Sequence, residues 1–405
     1  MADRQVVVIG GGPAGMIAAG RLKERGQKVI LIEKNPMLGK KLRITGKGRC
    51  NITNIADVED IMTNIPTNNR FLYSALYSFT NYDVISLMES LGVKTKVERG
   101  GRVFPESDSA KDVAEALKRY ALGKNVELIK DEVKGLVIED GKVTGVKTKT
   151  KTIPADSVIV ATGGVSYPLT GSTGDGYRFA EAAGHSIVTP KASLVPLETK
   201  EKWPAEVMGL SLKNVELTLY DGDKKLYTDF GEMLFTHFGI SGPIVLSASC
   251  HLNGAKNPRV TIDLKPALDD VQMDKRILRD FEAAGKKHLQ NSLDELLPRA
   301  IIPVIIKGAG IDPHKEVCNI TKEERKKLAE EIKGLTLNVK GTRPVAEAII
   351  TSGGVKVSEI NPSTMESKKV SGLYFAGEVI DVDAYTGGFN LQIAFSTGYL
   401  AGENA

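Results

Sequence analysis

The chain has 405 residues, of which 41% are hydrophobic and 26% are charged, and its formal net charge is +4. This composition is typical of a globular protein and excludes a disordered or disulfide-rich chain, and no stretch approaches the roughly 18 apolar residues of a membrane helix. The three cysteines and five histidines have neither a C-x-x-C nor a zinc spacing, so we expect no metal site.

The N-terminal segment predicts a complete β-α-β unit. Its first residues, Met1-Ala2-Asp3-Arg4, run directly into a strand pattern rather than a signal peptide, so we expect a cytoplasmic protein. Residues 5–9 predict a buried strand, residues 16–25 a helix that Gly26 ends, and residues 28–33 a second buried strand.

A glycine turn joins the first strand to the helix. Gly10-Gly11-Gly12-Pro13-Ala14-Gly15 matches the G-x-G-x-x-G pattern in the position that dinucleotide binding requires. Gly10 allows the tight turn, Gly12 lets a pyrophosphate approach the backbone, and Gly15 allows close helix packing. Glu33 ends the second strand, where a carboxylate accepts from a ribose 2′-OH and repels a 2′-phosphate. The pattern predicts FAD or NAD rather than NADP; the alternative is a structural turn with a solvated Glu33.

The next part of the chain predicts mixed elements. A glycine- and lysine-rich loop covers residues 39–54, and a mostly helical stretch reaches about residue 92. Ser109 is expected to cap a helix over 110–122. Residues 125–149 predict strands, and residues 157–161 predict another buried strand that ends in a glycine pair.

The pattern changes near residue 191. Residues 194–263 alternate as strands do, with turns predicted at Asp221-Gly222 and Asn253-Gly254, and residues 266–333 predict charged helices. Thr321-x-x-Glu324 is a capping box, and Gly334 is expected to end that helix. We therefore predict a discontinuous nucleotide-binding domain over 1–190 and 346–405. The insertion, 191–345, is expected to be β-rich over 191–265 and mostly helical over 266–345.

The C-terminal segment favours FAD over NAD. Residues 372–381 predict a strand, a turn and an acid, with Asp381 as the acid, and residues 386–392 open a final helix. Flavoproteins of the glutathione-reductase type place such an acid on the ribityl–pyrophosphate part of FAD. The helix dipole would stabilise negative charge on reduced flavin. The alternative is a strand and helix that only complete the sheet.

Several motifs together resemble the bacterial flavoproteins of the BaiN/RdsA type, which are NAD(P)/FAD-dependent oxidoreductases. The most specific motif is the loop from Gly39 to Asn54, with its GRCN-x-TN core. The others are the segments 101–105, 234–243 and 364–368. The resemblance covers essentially the whole chain. It implies an α/β fold in which a Rossmann-type FAD domain is interrupted by a β-barrel with a helical part.

The resemblance and the motifs predict a set of cofactor-binding residues. Cations among the glycines of the 39–54 loop suit phosphate contacts, although a solvated basic loop is the alternative. Cys50 is expected to be packed in the interior, and Val133 to hold the adenine through its backbone, as in such flavoproteins. The full set is Gly10, Gly12, Pro13, Ala14, Gly15, Glu33, Lys34, Lys40, Lys41, Arg43, Gly48, Arg49, Cys50, Asn51, Val133, Ala161, Thr162, Gly163, Gly164, Gly377, Glu378, Asp381, Gly387, Gly388, Asn390, Leu391 and Gln392.

Three residues are candidate donors for catalysis: His237, Arg49 and Tyr385. Ser241 is expected to cap a helix that has Pro243 in its first turn, just after His237. A capped structural helix with a satisfied histidine is the alternative. No second dinucleotide fingerprint is present, so NADH or NADPH is expected to visit the flavin transiently.

The members of this family with assigned activity reduce a C=C bond in a bile acid or in a ribosomal RNA uridine. The leading hypothesis is therefore NAD(P)H-dependent reduction of a carbonyl-conjugated C=C bond in a small molecule. The alternatives are reduction of uridine to dihydrouridine in ribosomal RNA, and an FAD-dependent amine oxidase. Basic runs at 275–276, 286–288 and 325–327 suit RNA phosphates, or else are solvated helix faces.

Overall fold

A computed structural model describes residues 5–252 and 254–405. Two expectations fall on residues outside this range. The absence of a signal peptide was inferred from Met1 to Arg4, and one predicted turn includes Asn253. The described chain separates into two compact units, Met1–Ser193 with Pro344–Ala405 and Leu194–Arg343. Each unit has its own hydrophobic core.

The first part of unit 1 alternates strands and helices. Its strands are β1 (Gln5–Ile9), β2 (Lys28–Ile32), β3 (Thr53–Asn54), β4 (Thr95–Glu98), β5 (Arg102–Pro105), β6 (Val126–Ile129), β7 (Val133–Glu139), β8 (Lys142–Thr148), β9 (Thr152–Pro154), β10 (Ser157–Val160) and β11 (Ile187–Ser193). Its helices are α1 (Pro13–Glu24), α2 (Val58–Thr63), α3 (Tyr73–Ser78), α4 (Asn81–Ser90), α5 (Ala110–Ala121) and α6 (Asp175–Ala182). Short 3-10 turns include Leu42–Gly48 and Asn69–Leu72.

Unit 2 contains a barrel and helices. Its strands are β12 (Leu197–Thr199), β13 (Ser211–Asp221), β14 (Lys224–Thr236), β15 (Gly239–Ser241), β16 (Pro258–Asp263) and β17 (Leu335–Thr342). Its helices are α7 (Pro243–Ser249), α8 (Asp270–Ala284), α9 (Ile302–Ala309) and α10 (Lys322–Lys333). The chain then returns to unit 1 with β18 (Ile350–Val355), β19 (Leu373–Phe375) and α11 (Phe389–Asn404).

The central sheet of unit 1 is parallel, with the described strands in the order β19-β10-β1-β2-β6. Strands β1, β2 and β10 are buried on both faces, which explains their continuous Val and Ile runs. β19 joins this sheet from the C-terminal end of the chain, so the Rossmann-type domain is discontinuous in sequence. In unit 2, β12-β15-β14-β13-β16-β17 close into an antiparallel barrel among the described residues. Both features confirm the predicted fold class.

Three local expectations differ from the structure. Helix α1 begins at Pro13 rather than at Met16, because proline suits the first helical turn. Ser109 precedes α5 but makes no side-chain capping hydrogen bond. Ser241 ends strand β15, and Gly242 takes the cap position of α7, so Ser241 does not cap that helix.

Other local expectations are confirmed. Thr321 and Glu324 form a reciprocal capping box at the start of α10, and Gly334 is its C-cap. Asp221 and Gly222 lie at the turn between β13 and β14, which pair antiparallel. No helix in residues 5–252 and 254–405 has the length and apolar character needed to span a bilayer.

Candidate functional site

The carboxyl ends of four parallel strands place predicted cofactor residues along one edge of the sheet. Strands β1, β2, β10 and β19 are followed directly by Gly10, Glu33, Ala161 and Ala376-Gly377. Because all four strands run the same way, these residues share one edge, which we call the carboxyl edge. Open α/β sheets bind their ligands outside this edge.

The glycine turn leaves the backbone open where a ligand would approach. A Cβ atom on Gly15 would lie 1.9 Å from the Gly10 carbonyl oxygen, so the turn and helix α1 meet too closely for any side chain. At Gly12, in contrast, a Cβ atom would meet no atom of the described chain within 4 Å. The 12-residue helix α1 begins directly after Gly12. A helix N-terminus beside open backbone suits the negative charge of a pyrophosphate.

Glu33 is held firmly at the end of β2. Its Oε2 atom accepts a hydrogen bond from the Gly11 N–H at 2.8 Å. Its Oε1 atom accepts from the backbone N–H and the side-chain amide of Asn35, at 2.8 and 2.7 Å. Asn35 was not among the predicted residues, although its position two residues after Glu33 is typical of a side chain that orients a carboxylate.

A cavity opens beside Glu33, between the ends of β2 and β6. It encloses about 140 Å³, which is smaller than the usual small-molecule site. One wall carries Arg43, whose guanidinium lies 2.6 Å from a Glu115 carboxylate oxygen and lowers the pKa of that group. The lining includes Glu33, Asn35, Leu38, Arg43, Leu128 and Lys130. The cavity lies beside the carboxylate that the sequence assigns to a ribose hydroxyl.

Glu378 is the first acid after β19, three residues beyond its end. Lys41 donates to its Oε2 atom at 2.6 Å, and Ser166 and the Thr351 N–H donate to its Oε1 atom at 2.9 and 2.8 Å. These contacts join the 39–54 loop, the loop after β10 and strand β18 at the carboxyl edge. Ser166 and Thr351 were not among the predicted site residues. Ser166 was the easier of the two to find, because it lies only two residues after the glycine pair Gly163-Gly164.

Asp381 lies farther along the C-terminal loop and is 8% exposed. The Asn68 side-chain amide donates to its Oδ2 atom at 3.0 Å and to its backbone oxygen at 2.7 Å. Burial, reinforced by the charge of Asp383, raises the pKa of Asp381. Both predicted acids, Glu378 and Asp381, are therefore held by protein donors after β19.

The start of helix α11 is built from buried polar side chains. Gly388 has φ +100°, and a Cβ atom there would lie 2.4 Å from the Thr53 oxygen. Gln392 is fully buried, accepts from the Thr53 hydroxyl at 2.6 Å and donates to the Phe79 oxygen at 3.0 Å. Asn390 bonds the backbone N–H and oxygen of Ala384. Asn390 and Gln392 therefore hold the helix start in place, whereas Leu391 is half-buried beside them.

Most of the other predicted cations are bound to protein groups. Lys34 bonds Thr173 and Asp175, and Lys40 donates to the Leu169 oxygen at 2.6 Å. Arg49 pairs with Glu98 and Asp108 and lies 4.3 Å from the Phe104 ring centroid. These partners, Glu98 above all, raise the pKa of Arg49. Lys34, Lys40 and Arg49 therefore bind other segments of the protein, and their contact with a phosphate stays a prediction.

Two buried polar atoms at predicted cofactor residues have no partner in the described part of the chain. They are Oδ1 of Asn51 and Oγ1 of Thr162. Burying an unpaired polar atom costs roughly 1–3 kcal/mol, so such atoms point to a missing polar ligand. Asn51 is the first asparagine of the GRCN-x-TN core, and Thr162 lies two residues after the end of β10. Both fit the polar groups of FAD.

The remaining predicted residues occupy different settings. Cys50 is fully buried, and burial raises the pKa of its thiol to about 12, so it is packed as expected and is not a thiolate at neutral pH. Val133 is buried at the start of β7, four residues after β6. Gly48 and Gly163 have positive φ angles, in turns beside the predicted site residues.

The candidate donors lie in both units. Tyr385, in unit 1, is half-buried, and its backbone N–H donates to the Asn64 oxygen at 2.9 Å. His237, in unit 2, is exposed in the turn between β14 and β15, with its ring 4.9 Å from that of Phe238. Beside it, Oγ1 of Thr236 is buried without a partner among the described residues.

Comparison with known proteins identifies the family. A family model described as the HI0933-like protein Rossmann domain matches residues 4–404. The chain belongs to this family. It is 32% identical, over 99% of its length and 98% of the relative's, to a 3-dehydro-bile acid delta(4,6)-reductase from Clostridium scindens. It is also 34% identical to a ribosomal RNA dihydrouridine synthase from Haemophilus influenzae. That match covers 97% of this chain and 96% of the relative.

A solved structure shares the fold. The 3-ketosteroid delta1-dehydrogenase from Sterolibacterium denitrificans matches with a TM-score of 0.52 over 99% of both chains, at 13% identity. The family, the two full-length relatives and this fold confirm the resemblance found in the motifs. The HI0933-like chain is an FAD-dependent oxidoreductase with a Rossmann-type domain.

Proposed function

We propose that this protein reduces a C=C bond conjugated to a carbonyl group, with NADH or NADPH as the transient electron donor. The proposal rests mainly on the full-length similarity to the bile acid reductase and the dihydrouridine synthase. The names of these relatives describe one chemical pattern. A 3-oxo steroid with a delta-4 double bond and a uracil ring both carry an alkene polarised by a carbonyl.

Residues of the carboxyl edge would hold the FAD. We assign the pyrophosphate to the glycine turn and the N-terminus of α1, and the adenosine ribose to Glu33. Glu378 and Lys41 would meet the ribityl side, and the start of α11 the flavin ring. When bound, FAD supplies hydride transfer from the nicotinamide to the β carbon of the alkene.

The protein itself must supply a hydrogen-bond donor and a proton. A donor would stabilise the negative charge that develops on the carbonyl oxygen, and an acid would protonate the α carbon. His237 and Tyr385 are our candidates for these roles. Arg49 is a weaker candidate, because Glu98 and Asp108 already occupy its guanidinium.

Anaerobic reduction of the purified protein tests this proposal. We expect a yellow protein whose flavin absorbance is bleached by NADH or NADPH and restored by a 3-oxo-delta-4 steroid or another enone. Failure to take up FAD would contradict the cofactor assignment. Oxygen consumption with an amine, and no reduction by either nucleotide, would instead support the amine oxidase hypothesis.

A second candidate substrate is uridine in ribosomal RNA, which the similarity to the dihydrouridine synthase favours. In unit 2, Lys275, Lys286, Lys287 and Lys327 are exposed and have no carboxylate partner among the described residues. In contrast, Arg276 and Arg325 pair with Asp280 and Asp274, so only part of the basic sequence runs is free for phosphates.

Salt dependence separates the two candidates. If the substrate is RNA, binding of a ribosomal RNA fragment should weaken steeply between 50 and 200 mM salt, by about tenfold for every two phosphate contacts. Replacing Lys286 and Lys287 by Gln should reduce that slope. No RNA binding at low salt, together with enone reduction, would restrict the function to small molecules.

A further inference from the structure

Three tyrosine rings are exposed on one part of unit 1. Tyr73, Tyr77 and Tyr82, on α3 and α4, expose 54%, 44% and 60% of their surface. None of them takes part in the proposed cofactor site. Contiguous exposed aromatic surface is uncommon on soluble proteins and is typical of binding sites.

The rings are linked through the short segment 55–60. Tyr73 and Tyr77 have ring centroids 4.6 Å apart, and the Tyr77 hydroxyl donates to a Glu59 carboxylate oxygen. At the other end, the Tyr82 hydroxyl donates to the Ile55 oxygen at 3.3 Å. We define the tyrosine–acid surface as the exposed residues Ile55, Glu59, Asp60, Tyr73, Tyr77 and Tyr82.

This surface lies in an acidic part of a basic protein. Residues 55–90 contain five acids and one cation, Arg70, and so carry −4. Since the whole chain carries +4, the rest of it carries +8. The turn Arg99–Gly101 borders the surface at Ile55, whose N–H donates to the Gly101 oxygen. Glu59 accepts from the Tyr77 hydroxyl, and Asp60 is the next residue of α2 and is also exposed.

The carboxylates and the tyrosine rings of this surface together indicate the chemical class of its partner. A guanidinium or ammonium group binds both the face of a tyrosine ring and a carboxylate. RNA could stack on the rings, but the exposed carboxylates Glu59 and Asp60 repel its phosphates. A second copy that used the same surface symmetrically would place acids against acids.

We propose that the tyrosine–acid surface docks an arginine- or lysine-rich segment of a partner protein. Tyrosines and arginines are the residues that most often dominate the affinity of protein interfaces. The contact is expected to be salt-sensitive, because Glu59 and Asp60 are solvent-exposed. This proposal is independent of the substrate.

The test uses the intact FAD-loaded protein and a fluorescein-labelled 12-residue peptide in which arginine alternates with glycine or serine. Fluorescence anisotropy measures its Kd for the wild type, Tyr73→Ala/Tyr77→Ala and Glu59→Gln/Asp60→Asn. We expect each double variant to bind about tenfold more weakly. Tyr77→Phe, which keeps the ring, should stay within about threefold. The control Glu282→Gln/Glu323→Gln, two exposed acids of unit 2, should bind as the wild type does.

Several results would overturn the proposal. Equal peptide binding by the wild type and Tyr73→Ala/Tyr77→Ala would show that the rings are not used. Loss of binding in the unit 2 control would show that the peptide responds only to net charge. A 12-nucleotide single-stranded RNA that binds the wild type but not the tyrosine variant would replace the protein partner with RNA. Self-association that the tyrosine variant abolishes, measured by sedimentation, would replace it with a second copy.

Discussion

The Lys41 ammonium lies 2.6 Å from Oε2 of Glu378, a residue 337 positions later in the chain. The pair connects the 39–54 loop to the end of β19, and both side chains are mostly buried, at 20% and 14% exposure. Ser166 bonds both partners, at 2.7 and 2.9 Å. The charge of each partner is thus balanced within the carboxyl edge, where we assign the FAD.

We expect Glu378→Gln to lower the free energy of unfolding by about 1–3 kcal/mol, because Lys41 loses a charged acceptor in a partly buried site. The same change should reduce the amount of FAD retained after gel filtration. Urea unfolding and the flavin absorbance measure the two effects. Lys41→Met should reproduce both.

The matched control for this pair is Lys118→Met. Lys118 lies 3.7 Å from Glu115, and both side chains are well exposed, so its removal should cost less than about 0.5 kcal/mol. If Glu378→Gln had an effect no larger than this control, the pair would not stabilise the carboxyl edge.

Substitution by alanine should affect stability very differently at two glycines of the same turn. Gly15→Ala places a methyl group 1.9 Å from the Gly10 oxygen, so we expect a loss of at least about 2 kcal/mol of stability and no FAD uptake. Gly12→Ala meets no protein atom within 4 Å and has a permitted φ of −79°. Its stability should change by less than about 1 kcal/mol.

FAD affinity distinguishes the role of Gly12. If the pyrophosphate approaches the backbone there, Gly12→Ala should weaken FAD binding by about tenfold or more, roughly 1.4 kcal/mol, in a fluorescence titration of the apoprotein. Unchanged affinity in a well-folded Gly12→Ala protein would move the pyrophosphate away from the glycine turn.

The sequence predicted the parts of the site that depend on local patterns. The glycine turn, Glu33 and the buried strands each leave a signal within about ten residues, and the turn geometry permits few alternatives. The capping box at Thr321 and Glu324 was equally clear. These features follow from short-range backbone chemistry, so a single sequence is sufficient to find them.

Contacts between distant segments were harder to predict. Ser166 and Thr351 hold Glu378 only because the loop after β10 and strand β18 meet beside β19. Asn68 reaches Asp381 across 313 positions of sequence. The periodicity of hydrophobic residues in a sequence does not indicate contacts between such distant side chains. For the same reason, the sequence placed Glu378 and Asp381 in the candidate set but did not show which side chains hold them.

The buried carboxyl of Asp381 should make stability depend on pH. Burial raises its pKa in the folded protein above the unfolded value of about 3.9. Between the two values the folded state binds more protons than the unfolded state, so the free energy of unfolding falls as pH rises. At pH values above both pKa values, the free energy of unfolding stays lower by the full amount.

Asp381→Asn removes that titration and keeps an oxygen that can accept from Asn68. We expect the variant to be more stable than the wild type at pH 7 and to lose less stability between pH 4 and 7, measured by urea unfolding. Asp312→Asn, an exposed acid of unit 2, is the control. A wild type and an Asp381→Asn variant with parallel pH profiles would contradict the raised pKa.

His237 is the candidate donor that a single substitution tests most directly. It is exposed in the turn between β14 and β15, and its removal leaves no cavity in the barrel core, so His237→Ala should fold and retain FAD as the wild type does. If His237 stabilises charge on the substrate carbonyl, the rate of flavin reoxidation by an enone should fall by about 100-fold, while reduction by NADH or NADPH should be unchanged. His314→Ala, an exposed histidine elsewhere in unit 2, is the control and should keep both rates. Normal reoxidation by His237→Ala with a full complement of FAD would remove His237 from the mechanism and leave Tyr385 as the donor to test next.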